Sequence, residues 1–316
     1  MNSKEFDLSL AAAVKAASEK YGTVAIQAAA IEDGRVFSEA HIGFAELGKT
    51  PISADHKIRV ASLTKTLVAL VTVKLCELSL FSLDDNISKY IGVPVRNPAH
   101  PDVPITIRML LDHTSSIRPD AEYEESLFSL RAKLLSRASF TEDCPGKVYR
   151  YNNFAYGVCG TICEIVSGKS VNALARQFFF EPMGIRASFA PAELPEELRT
   201  VIYDKNRNAH FPISEQRAMI DAASPANTMR RYAGGLVISA VDYAKLICLF
   251  LNDGCHEGKP LIESERIRDM QKVLYIQPDG KTGQCLPMRR LESCFGENGI
   301  FYHSGNAYGV YSLYAY

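Results

Sequence analysis

The sequence predicts an α+β fold in which a sheet domain, built from residues 1–60 and 231–316, encloses an inserted and mainly helical domain at residues 61–230. Strand patterns around a hairpin signal occupy the N-terminal part. Helical patterns dominate from Ser62 to about residue 230, and strand patterns rich in tyrosine and valine return near the C-terminus. We therefore expect strands from the two chain ends to pair in one sheet.

The composition is that of an ordinary globular protein and excludes several function classes. The 316 residues are 47% hydrophobic and 22% charged, with a formal net charge of −1. The basic excess typical of binding to nucleic acid or an anionic membrane is missing, and no apolar run reaches the roughly 18 residues of a membrane span. We expect a small-molecule or short-peptide substrate as the partner, and the composition leaves the oligomeric state open.

The cysteines and the N-terminus bear on cofactors and localisation. The eight cysteines form no C-x-x-C pair, so we expect free thiols, no metal and no organic cofactor. Residues 1–7 contain acidic groups, and no apolar signal core follows them. The protein is expected in the cytoplasm if this N-terminus is native, and secreted or periplasmic if a leader has been removed.

The N-terminal elements follow from periodicity and one turn signal. An apolar stripe from Phe6 to Ala17 predicts a helix over residues 5–20, which ends at Gly22. Residues 23–31 and 36–44 are predicted strands, and Asp33-Gly34 between them is a strong hairpin signal.

The later elements are predicted in the same way. Residues 105–111 form a short helix with Thr106 as its cap, and residues 154–166 form a helix that ends at Gly168. Residues 186–230 contain prolines and little periodicity, which predicts loops with short elements. A helix within residues 236–251 and strands at 300–302 and 309–316 complete the chain.

Ser62 and Lys65 form the first candidate catalytic cluster. Lys65 is the only lysine with a serine three positions before it, and an apolar run follows from Leu67 to Leu78. Residues three apart share one face of a helix, so the hydroxyl and the amine can lie within hydrogen-bond distance, as a nucleophile and its base do. A helix N-terminus there would also favour a developing oxyanion. The alternative is a serine cap on an amphipathic helix with a surface lysine.

Tyr151 and Asn153 form the second cluster, at the start of the helix predicted over residues 154–166. A lysine ammonium near a tyrosine favours the phenolate, and we expect Lys65 to lower the pKa of Tyr151 from about 10 toward 7 so that Tyr151 can act as a base. Asn153 can hold a substrate carbonyl and the lysine together. The alternatives are a packing tyrosine and a helix cap.

The third cluster has two candidates, each a basic residue followed by Ser or Thr and then Gly. Lys281-Thr282-Gly283 looks like a solvent-facing turn, whereas His303-Ser304-Gly305 follows a strand pattern. A strand edge can present backbone N–H groups to a substrate carbonyl and align an acyl chain. We therefore favour His303, Ser304 and Gly305 as substrate-binding residues.

With these three clusters in order, the sequence resembles the penicillin-recognising serine hydrolases, in the branch that holds class C β-lactamases, D-alanyl-D-alanine carboxypeptidases, D-aminopeptidases and β-lactamase-like esterases. The likeness covers about residues 20–316 and includes six segments, Arg59–Lys65, Leu80–Asp85, Ile107–Ser116, Tyr151–Gly157, Glu181–Ile185 and Ala233–Leu236. It implies a β-lactamase/transpeptidase-like fold, with an antiparallel sheet flanked by helices and an inserted all-helical domain.

The resemblance also implies roles for individual residues. Ser62 is the expected nucleophile, and Lys65 and Tyr151 share the general-base work, after which Tyr151 protonates the leaving group or activates water. The backbone N–H groups of Ser62 and Asn306 would form the oxyanion hole. Asn153, His303, Ser304 and Gly305 would contact the substrate, and no metal is needed.

The sequence departs from the family pattern at three places. Ser116 stands where glycine is usual, and His303-Ser304 replaces the lysine and threonine of the common β-lactamase form. In the family, a further strand and a closing helix follow the strand after the third motif, so this chain is expected to be truncated at its C-terminus. That expectation leaves the stability and activity of the chain open.

Two of these features decide the expected substrate. A histidine is mostly neutral at pH 7 and anchors a β-lactam carboxylate less well than a lysine, and no export leader is visible. We therefore expect a serine hydrolase that forms an acyl-enzyme and acts on an ester, a small amide or a D-amino-acid peptide. The alternatives are a class C-like β-lactamase and a non-catalytic ligand-binding member of the fold.

Overall fold

The computed structural model describes residues 3–221, 224–294 and 299–316. Helix α1 (Ser3–Tyr21) comes first, and strands β1 (Ala25–Glu32), β2 (Arg35–Glu46) and β3 (Thr50–Pro51) follow. β1 and β2 pair antiparallel around Asp33 and Gly34, whose φ angles of 49° and 69° are both positive, as a two-residue type I′ hairpin loop requires. The predicted N-terminal helix and hairpin are confirmed.

The middle of the chain is mainly helical. Strand β4 (Ile58–Arg59) leads through a 3₁₀ turn (Ala61–Leu63) into helix α2 (Thr64–Glu77). The next helices are α3 (Ser88–Ile91), α4 (Ile107–Leu111), α5 (Leu127–Leu135), α6 (Asn153–Ser167) and α7 (Val171–Ala175). Thr106 caps α4 as predicted, because its hydroxyl accepts from the Met109 N–H at 3.3 Å. α6 ends as predicted at Gly168, which has a φ of 68°.

Within the described ranges, residues 176–239 form short elements, as the weak periodicity of residues 186–230 predicted. They are a π-helical turn (Arg176–Phe180), two 3₁₀ turns (Pro191–Glu193 and Glu196–Leu198), β5 (Ile202–Tyr203), β6 (Ala209–His210), α8 (Ile213–Gln216), α9 (Met229–Gly234) and β7 (Val237–Ile238). β7 pairs antiparallel with β4, with Ile58 opposite Ile238. The two ends of the helical region are therefore held together next to the Ser62 turn.

The C-terminal part carries the larger sheet. Its elements are α10 (Ala240–Leu251), β8 (Cys255–His256), β9 (Lys259–Pro260), α11 (Ser264–Gln271), β10 (Tyr275–Ile276), β11 (Thr282–Gln284), β12 (Arg289–Leu291), β13 (Ile300–Ala307) and β14 (Val310–Ala315). β10 to β14 pair antiparallel in chain order. The prediction of a solvent-facing turn at Lys281-Thr282-Gly283 is wrong for its last two residues. Thr282 and Gly283 are buried in β11, which pairs with β10 on one side and β12 on the other.

The expected pairing of strands from the two chain ends is wrong within the described ranges. β1, β2 and β3 form one sheet, and β10 to β14 form another. Both sheets pack on α10 instead: β1 and β2 contact this helix, and Tyr314 and Tyr316 contact its Tyr243 and Phe250. The chain ends thus share a helix rather than a hydrogen-bond ladder. The division into a sheet domain and an inserted domain stays a prediction.

Helix α2 lies at the centre of the core. Of its 14 residues, only Lys74 and Glu77 are not buried. A helix covered on all sides is held by packing against its neighbours, here α6, α7 and α9. None of the helices in the described ranges is long and apolar enough to cross a membrane. The eight cysteines are free thiols.

Candidate active site

Ser62 lies in the 3₁₀ turn that precedes α2, so the serine stands one turn before the α-helix proper. The residue before it, Ala61, has a φ of 46°, a left-handed conformation that residues with a Cβ rarely adopt. Two hydroxyls hold this turn: Thr64 donates to the Ala61 carbonyl at 2.6 Å, and Ser312 donates to the Val60 carbonyl at 2.7 Å. The turn presents a half-buried Ser62 between α2 and β14.

The Lys65 amine touches three groups that come from separate parts of the chain. Its Nζ lies 3.2 Å from the Ser62 hydroxyl, 2.8 Å from the Asn153 side-chain carbonyl and 2.6 Å from the Ala233 backbone carbonyl. Lys65 is fully buried, and no carboxylate forms an ion pair with it within the described ranges. The predicted proximity of Ser62, Lys65 and Asn153 is thus present in the structure.

Tyr151 completes this cluster just before α6. Its hydroxyl is hydrogen-bonded to Ser62, and the Lys65 Nζ lies 5.0 Å from the centre of its ring.

The structure also shows which of the two neighbouring asparagines caps the helix. Asn152, not Asn153, caps α6 by accepting from the Ala155 N–H at 2.9 Å. Asn153 is exposed and accepts from Lys65 through its side-chain oxygen, and its contact with a substrate stays a prediction.

The expected decrease in the pKa of Tyr151 is wrong in direction. Burial lowers the pKa of Lys65 well below its usual value, and the charge of Arg289 lowers it further. Burial also raises the pKa of Tyr151 to about 12, although the bond to Ser62 and the charge of Arg289 oppose this rise. Burial disfavours whichever form is charged, so it favours a neutral amine and a neutral phenol in the free site.

Strand β13 forms the opposite wall. A Cβ on Gly305 would come within 2.9 Å of the Ser62 nitrogen and 2.8 Å of the Val60 carbonyl, so only glycine lets the strand approach this closely. β12 pairs with β13 only at residues 300–302, which leaves the backbone edge at 303–307 free on that side. The structure therefore has the open strand edge beside Ser62 that the sequence predicted for the third cluster.

His303, Ser304 and Asn306 lie on this strand but differ in their surroundings. The His303 ring is buried 6.5 Å from the Tyr151 ring, and its Nδ1 lies 2.8 Å from the Ser304 carbonyl. Burial, with the nearby Lys65 and Arg289, lowers the pKa of His303 to about 3, so its imidazole is neutral. Ser304 points to the other face, because side chains alternate along a strand. Asn306 is exposed at the end of the free edge.

Arg289 is the residue that the sequence analysis missed. Its guanidinium lies 5.7 Å from the centre of the Tyr151 ring and donates to the Tyr149 hydroxyl at 3.4 Å. It has no ion pair within the described ranges. No local motif marks it, since β12 reaches the site only through its pairing with β13, where Arg289 lies opposite Tyr302.

The loop after α4 packs against Tyr151 through His113. His113 packs its ring 4.5 Å from the Tyr151 ring and accepts from the Asn152 N–H at 3.1 Å. Ser116 has a φ of 58°, which explains why glycine suits this position and why serine there carries some strain. No cluster of three or more His, Cys, Asp or Glu side chains within the described ranges could hold a metal ion.

Comparison with known proteins places this geometry in context. The Beta-lactamase family model matches residues 10–315. The chain is 29% identical over 157 residues to the D-alanyl-D-alanine-carboxypeptidase/endopeptidase AmpH of Escherichia coli (strain K12), a stretch that makes up 47% of this chain and 40% of AmpH. The chain thus spans less than half the length of the curated relatives it matches.

Two solved structures share the fold over nearly the whole chain. EstCE1, described as a hydrolase with promiscuous acyltransferase activity, aligns with a TM-score of 0.73 and 21% identity over 95% of this chain and 88% of its own. A class C β-lactamase aligns with a TM-score of 0.77 and 16% identity over 100% of this chain and 89% of its own. The predicted β-lactamase/transpeptidase-like fold is confirmed, and the match over residues 10–315 shows that this chain belongs to the Beta-lactamase family.

Proposed function

We propose that this protein is a serine hydrolase in which Ser62 is acylated by an ester, a small amide or a D-amino-acid peptide. The contacts of the Lys65 amine carry this proposal. A neutral amine has two N–H donors and one lone pair, and the carbonyls of Asn153 and Ala233, at 2.8 Å and 2.6 Å, can only accept. The lone pair is then left for the Ser62 O–H at 3.2 Å, which makes Lys65 the base that activates the nucleophile.

In acylation, Lys65 takes the proton of Ser62 while the serine oxygen attacks the substrate carbonyl. The backbone N–H groups of Ser62 and Asn306 stabilise the oxyanion that forms. Tyr151 is a neutral phenol, so it donates its proton to the leaving group and recovers one from the Lys65 ammonium. The ester or amide bond to the leaving group breaks, and the acyl group stays on Ser62.

In deacylation, a water molecule replaces the leaving group and the proton transfers run in reverse. Lys65 and Tyr151 take a proton from this water, whose oxygen attacks the acyl carbonyl. The Ser62–acyl bond breaks, and Ser62 recovers a proton as the acid product leaves. Asn153 is exposed and its side-chain oxygen is bound to Lys65, so its amide N–H groups can hold a carbonyl of the acyl chain near Lys65 through both steps.

Arg289 favours a leaving group that carries a carboxylate. The imidazole of His303 is neutral and cannot supply a fixed charge, whereas the guanidinium of Arg289 is always protonated and lies beside Tyr151. A peptide that ends in a D-amino acid has its carboxylate on the leaving group, so we propose this class ahead of simple esters. A β-lactam also bears a carboxylate, and Arg289 therefore keeps a class C-like β-lactamase as the second candidate.

Labelling and a substrate panel test this proposal. A fluorophosphonate probe should label the wild-type protein and not Ser62→Ala, which should also lose about 10⁵-fold in turnover of p-nitrophenyl butyrate. Ser214→Ala, at an exposed serine far along the chain, is the matched control and should keep both properties. Unchanged labelling of Ser62→Ala would refute the assignment, and absence of labelling in the wild type would favour a non-catalytic ligand-binding member.

The same panel separates the substrate classes. We expect turnover of D-alanyl p-nitroanilide and p-nitrophenyl butyrate to exceed that of nitrocefin. Fast hydrolysis of nitrocefin with no ester or anilide activity would instead establish the β-lactamase reaction.

A further inference from the structure

Two arginines beside the Ser62 turn lie over aromatic rings and form no ion pair within the described ranges. The Arg59 guanidinium carbon lies 4.8 Å from the centre of the Tyr308 ring and 5.2 Å from that of Phe211. The Arg230 guanidinium carbon lies 5.6 Å from the centre of the Tyr123 ring. Other arginines, such as Arg118 with Asp120 and Arg217 with Glu196, have a carboxylate partner.

Arg59 is close to the base of the proposed reaction. Its Nε donates to the Gly234 carbonyl at 2.6 Å, and the carbonyl of the preceding residue, Ala233, accepts from Lys65 at 2.6 Å. Consecutive residues are about 3.8 Å apart along the backbone. The guanidinium and the catalytic amine are therefore neighbours on the end of α9.

The position of Tyr308 places this group at one end of the free edge of β13. Tyr308 lies in the turn between β13 and β14, whereas Arg289 lies opposite Tyr302 near the other end of β13. Tyr302 and Ala307 are separated by roughly 17 Å at the usual rise of a strand. A substrate laid along this edge would meet Arg289 at one end and Arg59 and Arg230 at the other.

The free nitrogens of Arg59 suit a carboxylate. The rings of Phe211 and Tyr308 lie on one side of the guanidinium, since their centres are only 5.5 Å apart. Nε donates to Gly234, and within the described ranges the two terminal nitrogens form no hydrogen bond or ion pair, so they remain as a planar pair of donors. This arrangement binds a carboxylate through two parallel hydrogen bonds. The nearby Glu124 is already paired with Lys133 at 2.6 Å, and Arg230 is exposed and able to turn toward a ligand.

We propose that Arg59 and Arg230, with Tyr308, Phe211 and Tyr123, form a subsite that binds a carboxylate on the acyl part of the substrate. The leaving group lies toward His303 and Arg289, because Tyr151, which protonates it, contacts both. The acyl chain therefore extends toward Tyr308. This inference rests on the proposed function, since it assigns a substrate class to the same site.

Two matched esters test the subsite. Mono-p-nitrophenyl adipate and p-nitrophenyl hexanoate share the leaving group and chain length and differ in a terminal carboxylate. The wild type should prefer the adipate in kcat/KM, and Arg230→Gln and Arg59→Lys should each reduce the adipate-to-hexanoate ratio about tenfold, as expected for loss of a charge-assisted hydrogen bond. Arg217→Gln, at an exposed arginine paired with Glu196, is the control and should leave the ratio unchanged. A ratio unchanged in both subsite variants would overturn the proposal.

A binding measurement keeps this test separate from the proposed function. Affinity of Ser62→Ala for monomethyl adipate, measured by calorimetry, needs no turnover. It should fall about tenfold when Arg230→Gln is added and should weaken as salt is raised. If neither ester were hydrolysed, the proposed function would fail while this affinity would still report on the subsite. Equal affinity with and without Arg230→Gln would refute the subsite, whatever the hydrolysis results.

Discussion

Lys57 and Lys65 are both almost completely buried, at 2% and 0% exposure, yet they have opposite surroundings. The Lys57 ammonium lies 2.8 Å from the Asp242 carboxylate and 3.3 Å from the Ser239 hydroxyl. Burial raises the pKa of Asp242, but the hydrogen bonds and charges of Lys57 and Lys245 outweigh it and leave that pKa lowered. Within the described ranges, the hydrogen-bond partners of the Lys65 amine are two carbonyls and a hydroxyl, and burial lowers its pKa.

The difference shows that the partners of a buried lysine determine which form of its amine is favoured. A buried ammonium is stable only when a carboxylate compensates for the loss of water, and Asp242 does this for Lys57. Without such a partner, burial favours the neutral amine, whose lone pair could serve Ser62 in the proposed reaction. We therefore propose that the partner of each lysine decides whether the side chain stabilises the fold or can act as a base.

The largest expected effect comes from replacing each lysine by methionine. Lys65→Met should lower kcat for p-nitrophenyl butyrate at least about 10³-fold, since the general base is lost. Lys57→Met should leave the kcat of the folded protein close to that of the wild type. It should lower the free energy of unfolding by about 3 kcal/mol, since Asp242 stays buried and keeps only the partly exposed Lys245 as an ion-pair partner within the described ranges. Kinetics and urea denaturation measure the two effects.

A double variant sharpens this comparison. Lys57→Met with Asp242→Leu removes both buried charges and should recover much of the stability lost in Lys57→Met alone. Equal losses of activity in Lys57→Met and Lys65→Met, measured on folded protein, would show that the two lysines do not differ in role.

The next effect concerns Arg289, whose positive charge lowers the pKa of Lys65. The active amine is populated above its pKa, so kcat/KM should fall as the pH drops through that pKa. Arg289→Met removes a positive charge that lowers the pKa of Lys65, so the acid limb of the pH–rate profile should move to higher pH. An acid limb that stays in place in Arg289→Met would contradict this influence. Arg217→Gln serves as the control, because Arg217 is exposed and paired with Glu196 and is not among the charges that shift the pKa of Lys65.

The smallest expected effect concerns Glu164, a buried carboxyl group whose pKa is also shifted by burial. Glu164 is 3% exposed and accepts from the Tyr232 hydroxyl at 2.5 Å and the Ala226 N–H at 3.2 Å. Burial raises its pKa to about 7, above the value of 4.5 in an unfolded chain. The folded state then holds the proton more tightly, so the stability from Glu164 is complete below pH 4.5 and is lost as the pH rises through about 7.

Glu164→Gln tests this prediction by removing the titration. The free energy of unfolding of the wild type should fall between pH 4.5 and 7 by up to about 3 kcal/mol through this group, and the variant should lack that decrease. Denaturation curves at several pH values measure the difference. Parallel pH profiles for the wild type and Glu164→Gln would mean that the carboxyl is not held protonated.

Much of the local structure could be predicted because short-range physics determines it. The spacing of Ser62 and Lys65 fixes their shared face, Asp33-Gly34 fixes the first hairpin, and Thr106 caps α4. The strand carrying His303, Ser304 and Gly305 was also predicted and lies beside Ser62. The roles of these residues in a reaction stay predictions until the variants above are measured.

Tertiary structure alone decided the chemistry of the site. Arg289 reaches Tyr151 from a strand 138 positions along the chain, and the Ala233 carbonyl reaches Lys65 from α9. The pKa values of Lys65 and Tyr151 depend on burial and on the charge of Arg289, which is why the sequence pattern predicted the shift of Tyr151 in the wrong direction.

The arrangement of the sheets was decided in the same way, since α10 lies between the two chain ends. The sequence by itself determined which side chains could meet along a helix or a turn, because backbone geometry sets those distances over a few residues. It did not determine how much water and charge surround them, because these depend on segments that become neighbours only when the chain folds.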